Sequence, residues 1–129
     1  MPKQLSEITL DSTGGKPKIE IIFGQAHVGN YRFFLWDASG KNPTELSHGN
    51  NVDDAVDSFD IGEPLGALDR RILSFELIVQ AAEVREGQIY SVTITVRQDG
   101  TVCAGGLISE SGALEDVKSL IGFRRFKTI

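Results

Sequence analysis

The chain has one cysteine, one tryptophan, one methionine and two histidines among its 129 residues. A single cysteine excludes an internal disulfide framework, and a reducing compartment is the simplest fit, so a cytoplasmic location is expected. Apolar runs never exceed a few residues, which excludes a transmembrane helix. The first twelve residues, MPKQLSEITLDS, lack the basic start and apolar stretch of a secretory signal. Low-complexity segments and internal repeats are missing as well. What remains is a chain that is 40% hydrophobic and 24% charged, the composition of one folded domain over 1–129 with one core rather than of a disordered segment. Residues 1–16 are expected to form a flexible N-terminal segment.

Basic charge is also scarce where it would matter. Residues 1–64 hold 5 Lys or Arg against 10 Asp or Glu, so the whole net charge of −5 lies in the first half. Nucleic-acid binding requires a dominant basic face, so this balance excludes it as the expected partner. The acidity concentrates in Asp53, Asp54, Asp57, Asp60 and Glu63, whereas Arg124, Arg125 and Lys127 form a small basic group at the far end.

Strand periodicity dominates the middle of the chain. In 88–97, Tyr90, Val92, Ile94 and Val96 alternate with Ser91, Thr93, Thr95 and Arg97, the period of a strand with one face in a core and the other in water. Residues 71–79 alternate likewise, with Leu73, Phe75, Leu77 and Val79 inward. Further strands are expected at 18–23, 30–37 and 58–61, with turn-forming segments at 12–16, 38–43, 47–51 and 62–66. Gln98-Asp99-Gly100-Thr101 reads as a tight hairpin, because Asp-Gly supplies the positive φ angles of a primed turn. A two-residue loop turns Val96 and Cys103 inward, and one bulged residue turns Val102 and Ala104 inward instead; both registers are open at this point.

Only the end of the chain reads as a helix. Leu114, Val117 and Ile121 fall at helical spacing over 113–121, Ser111 or Gly112 is placed to cap the start, and Gly122 to end it. Phe123 and Phe126 beyond it imply a tail that is tied down, by an edge pairing for example. A helical turn at 51–57, capped by Asn51, is a weaker expectation. The fold class expected is therefore all-β, an antiparallel β-sandwich of jelly-roll-like kind with one short C-terminal helix.

Chemistry is thinly represented. STGGKP at 12–17 resembles a phosphate loop only superficially, since Leu10 and Pro17 stand where that motif needs Gly and Ser or Thr. No Gly-x-Ser-x-Gly elbow surrounds any serine, and Cys103 lies in a strand, where a small buried thiol is the ordinary outcome. Two histidines and one cysteine, far apart in sequence, have no transition-metal spacing. A run of solvated acids on one loop does not split two pKa values for acid–base work on a sugar. The exception is calcium. Asp53, Asp54 and Asp57, with Asn50, Asn51 and Asp60 and with Asp37 from a neighbouring loop, supply enough oxygens for a hard cation in the 50–60 loop, although not in EF-hand order. The bland alternative is a solvated or helix-capping acidic loop.

The aromatic strand 30–37 is apolar on both faces, with Tyr31, Phe33 and Leu35 on one and Phe34 and Trp36 on the other. Ile22, Phe34, Trp36 and Ile78 are each out of phase with the inward set of their own strands and are expected to face outward under some cover. Together they offer on the order of 400 Å², worth roughly 10 kcal/mol gross before ordering costs. A helix over 113–121 is too short to cover a whole sheet face. The expectation is a non-enzymatic interaction or binding module that self-associates through this apolar face as a homo-oligomer. The alternative is a calcium-assisted carbohydrate- or lipid-binding domain, with the acidic 50–60 loop and Phe34 or Trp36 taking a glycan or other small-molecule ligand.

Overall fold

The computed structural model describes residues 5–24, 27–51, 56–83 and 86–129. Its elements are β1 (Glu7–Leu10), β2 (Lys18–Gly24), β3 (Val28–Trp36), β4 (Thr44–Asn50), β5 (Val56–Asp60), a single 3-10 turn (Leu65–Ala67), β6 (Ile72–Gln80), β7 (Ile89–Gln98), β8 (Thr101–Ala113) and β9 (Val117–Thr128). Two sheets result, one ordered β1-β9-β6-β3-β4 and the other β5-β2-β7-β8. All pairings are antiparallel except that of β1 with β9, which is parallel.

The inward phase of each strand supplies the core, as the period of two requires. Ile19 and Ile21 of β2, Phe33 and Leu35 of β3, Leu73 and Leu77 of β6, Ile94 of β7 and Phe126 of β9 are almost fully buried and belong to one cluster shared by both sheets. Phe33 sits at its centre, with the rings of Phe59, Tyr31 and Phe75 at 5.2, 5.7 and 6.2 Å in tilted or edge-on geometry, the arrangements that favour aromatic pairs. Several glycines make room for these rings. A Cβ on Gly122 would stand 2.1 Å from Phe75, and one on Gly29 would stand 2.3 Å from Phe23.

Three sequence expectations need correction. No α-helix is present among the described residues. The segment expected as a helix over 113–121 is instead the end of β8, a bend, and the start of β9, with Leu120 paired to Leu77 and Gly122 to Phe75. Cross-strand partners on β7 and β6 outweigh a helical spacing that Leu114, Val117 and Ile121 possess only by coincidence. Gly122 is not a helix cap; it lies under the Phe75 ring. Secondly, the N-terminal segment is not loose along 7–10, because Ile8 and Leu10 of β1 are wholly buried. Thirdly, the helical turn over 51–57 fails at its end, where Val56 and Asp57 already belong to β5.

The β7–β8 hairpin resolves the open register. Asp99 (φ 51°) and Gly100 (φ 80°) form a two-residue primed turn with Gln98 opposite Thr101. Cys103 therefore points inward and is buried, and Val102 is exposed. Immediately afterwards the register jumps from Arg97–Val102 to Thr95–Leu107, a wide bulge in β8. Gly105 at its tip has φ 77° and approaches β1 so closely that a Cβ there would lie 2.1 Å from the Glu7 carbonyl oxygen. This bulge closes one side of the two-sheet stack over β1.

Candidate functional site

The outer face of the five-stranded sheet exposes several large apolar side chains. Register places its residues in rows across β3, β6 and β9: Trp36, Ile72 and Arg125; Phe34, Ser74 and Phe123; Arg32, Glu76 and Ile121; Asn30, Ile78 and Ser119. Ile78 is 46% exposed, Phe123 42%, Val117 52% and Ile121 66%. Phe34 and Trp36 are half-buried among them. A hollow of about 190 Å³ opens between Trp36, Gly40, Ile72 and Phe123.

Polar contacts fix the aromatic part of this face. The Trp36 indole N–H donates to the Ser74 hydroxyl at 2.8 Å, and Arg71 Nε donates to the Trp36 carbonyl oxygen at 3.2 Å. The Arg32 guanidinium lies 5.0 Å from the Phe34 ring centre, a cation–π distance, and pairs with Glu45 at 3.1 Å. His48 holds the other Glu45 oxygen. The hydrogen bond from Arg32, and then that from His48, lowers the Glu45 carboxyl pKa below its ordinary value. The apolar area thus has a charged border on its β4 side.

Phe34, Trp36 and Ile78 all stand on this outer face. Ile22 does not join them. It is the outward, half-buried residue of β2 in the other sheet, opposite Thr93 of β7, and lies on the far side of the core. Sequence reasoning missed Val117, Ile121, Phe123 and Ile72. The first three alternate at a period of two, but Gly122 and Lys118 between them gave that stretch no clean apolar partner phase.

The acidic residues are dispersed. Asp53 and Asp54 lie outside the described residues. Asp57 is inward-facing on β5 and stands beside the Tyr31 hydroxyl, whose pKa is raised by burial and then by hydrogen bonding to that carboxylate. Asn51 accepts from the Gly29 N–H at 2.9 Å and donates to the His27 carbonyl at 2.7 Å, so its amide continues the strand pairing. Asp37 does not reach this loop. It follows Trp36 at the opposite end of β3 from Asn50, which pairs with Asn30. There its carboxylate gathers the Ser39 hydroxyl, the Lys41 N–H and the Asn42 amide at 2.6–2.8 Å, and its pKa falls to about 2, chiefly through the Ser39 hydroxyl. Among the described residues no three His, Cys, Asp or Glu side chains form a metal-holding group.

Nor do the nucleophile candidates meet. Burial raises the Cys103 thiol pKa above its ordinary value, and its Sγ lies 3.6 Å from the Gln98 amide oxygen. The His27 ring contacts the Ile89 carbonyl at 3.0 Å, and the His48 ring contacts Glu45. No protein-family model, curated protein or solved structure matches the chain.

Proposed function

We propose that this protein is a non-enzymatic interaction module that self-associates through the apolar outer face of its five-stranded sheet. One observation carries the reading: Val117, Ile121 and Phe123 of β9, with Ile78, Phe34 and Trp36 behind them, put exposed or half-buried apolar side chains on one sheet face that no described element covers, with Arg32, Glu76 and Ser119 among them. The largest apolar patch on a monomer is typically only about 300–600 Å², and contiguous patches of that size commonly mark contact sites. A symmetric homo-oligomer is the simplest occupant, since the same patch then serves both copies. The sandwich itself we read as jelly-roll-like, because only the β3–β4 and β7–β8 hairpins stay within a sheet and the other connections cross between layers. Its setting is the cytoplasm, on the strength of a single buried cysteine.

Sedimentation equilibrium of wild type and Ile121→Lys tests the proposal. The expected outcome is a concentration-dependent dimer for wild type and a monomer for the variant, both with the same far-ultraviolet dichroism. Wild type that stays monomeric at hundreds of micromolar overturns the reading.

A further inference from the structure

Resting on that reading, we infer how the second copy docks: two β9 strands pair edge to edge, antiparallel, about a two-fold axis at Leu120, and the two five-stranded sheets become one. The Phe126 N–H donates to Arg71 and the Phe126 carbonyl accepts from Arg70, whereas the Arg125 N–H donates the other way, to Ser6. Backbone groups alternate sides along a strand. Val117, Ser119, Ile121 and Phe123 therefore turn their N–H and C=O groups away from β6, toward the side where β1 covers only Arg125–Thr128. The Phe123 carbonyl is met at 2.8 Å by the Arg124 guanidinium. Among the described residues the others on that edge have no strand beside them. The same odd-numbered residues carry the exposed apolar side chains, so pairing of the edge also sets Phe123 of each copy beside Val117 of the other.

Charge selects both the occupant and the register. An axis at Leu120 sets Ser119 opposite Ile121, Val117 opposite Phe123 and Lys118 opposite Gly122 of the second copy. It also brings Asp116, which precedes β9, up to Arg124 of the other copy, twice by symmetry, whereas Arg125 is already paired with β1 and its guanidinium donates to the Ala38 and Arg70 carbonyls. Moving the pairing by two residues one way sets Lys118 against Arg124, and moving it the other way takes Asp116 away from Arg124 to Gly122. The edge is complementary to itself in one register, which is what an isologous contact requires.

Three variants read this out in sedimentation and cross-linking. Ser119→Pro deletes an N–H that no strand among the described residues accepts, at an edge position where proline is tolerated. Losing that bond in both copies should weaken the dimer about thirtyfold, from roughly 1 kcal/mol per bond. Leu107→Lys, at an exposed apolar position on β8 of the other sheet, should leave the dimer constant unchanged. Leu120→Cys keeps every backbone group and should form an intermolecular disulfide on mild oxidation, with wild type as control. Facing residues in a non-hydrogen-bonded antiparallel pair are about 4.5 Å apart at Cα, within the span of a disulfide. A dimer that Ser119→Pro spares, or failure of Leu120→Cys to cross-link, overturns edge pairing and leaves the apolar-face reading standing. A monomeric wild type overturns both.

Discussion

Replacing Gly105 by alanine tests the closure of the fold on which the β9 edge depends. Gly105 is the tip of the β8 bulge, its φ is 77°, and an added Cβ would stand 2.1 Å from the Glu7 carbonyl oxygen and 3.2 Å from the Glu7 carbonyl carbon. Two penalties follow. Left-handed backbone costs a non-glycine residue about 1–2 kcal/mol. Forcing a methyl against fixed backbone costs about 1–3 kcal/mol more, because the obstacle is a strand and not the end of a flexible side chain. The sum of about 2–5 kcal/mol is a large fraction of the stability of an ordinary domain, roughly 5–15 kcal/mol, and for a chain of this size lowers Tm by about 8–25 °C. Gly40 is the control. Its φ is 79°, but nothing lies within 4 Å of a Cβ built there, so Gly40→Ala should lose only the first term, about 1–2 kcal/mol. Thermal unfolding followed by circular dichroism measures both. Equal losses at the two positions would refute the claim that the bulge is wedged against β1.

Gln98 should be the most costly polar residue to remove. Its amide accepts from the Asp11 N–H at 2.8 Å and donates to the Asp11 and Gly15 carbonyls at 3.0 Å each, from a buried position on β7. Gln98→Ala should cost about 2–3 kcal/mol in urea unfolding, and a loss below about 0.5 kcal/mol would show that water replaces these bonds. Asp37 gives a pH prediction. Because its folded pKa is depressed to about 2, the stability its bonds to Ser39, Lys41 and Asn42 contribute is complete above the ordinary carboxylate value of about 3.9 and is lost as pH falls through the folded value. Carboxyl carbon shifts followed by nuclear magnetic resonance should show a midpoint near 2; one near the ordinary value would mean that the loop does not hold the carboxylate.

Most of the sheet architecture was legible where a strand lies between two neighbours and has one face in the core. β2, β3, β6 and β7 show this, since burial on one side imposes a period of two on Ile19 and Ile21, Phe33 and Leu35, or Val92 and Ile94. The elements missed are those whose identity comes from partners distant in sequence. β4 is largely exposed, so Thr44, Glu45, Ser47 and His48 carry no apolar alternation and are held by the β3 ladder. β9 is filled inward by Leu120, Gly122, Arg124 and Phe126. Gly122 leaves its inward place to the ring of Phe75, and Arg124 turns its guanidinium to within 5.9 Å of the same ring. Two of four inward positions are thus not apolar, and a local reading falls back on a chance helical spacing. The outer apolar residues Phe34, Trp36 and Ile78 were visible because each breaks the phase of its own strand. Strand phase cannot say which sheet a strand joins, and so Ile22 was grouped with residues that lie on the other side of the core.

Edge strands give the apolar content of β9 its meaning. A free edge is a template for unwanted pairing, and proteins blunt it with charge, bulges or short length. β5 is short, and Asp57, Ser58 and Asp60 line it. β4 bears Glu45 and His48 and a register shift opposite Phe33 and Phe34 of β3. β8 has its wide bulge, followed by Ser109, Glu110 and Ser111. The first half of β9 departs from this pattern. From Val117 to Phe123 it carries a single charge, Lys118, and presents Val117, Ile121 and Phe123 to solvent beside open backbone groups. Ile8 and Leu10 are buried from the four residues of β1, and among the described residues no strand covers the rest of this side of β9. Three edges are thus blunted by charge, a bulge or short length, whereas the described part of the fourth is apolar, with acids at one end and arginines at the other, the contrast on which the proposed self-pairing rests.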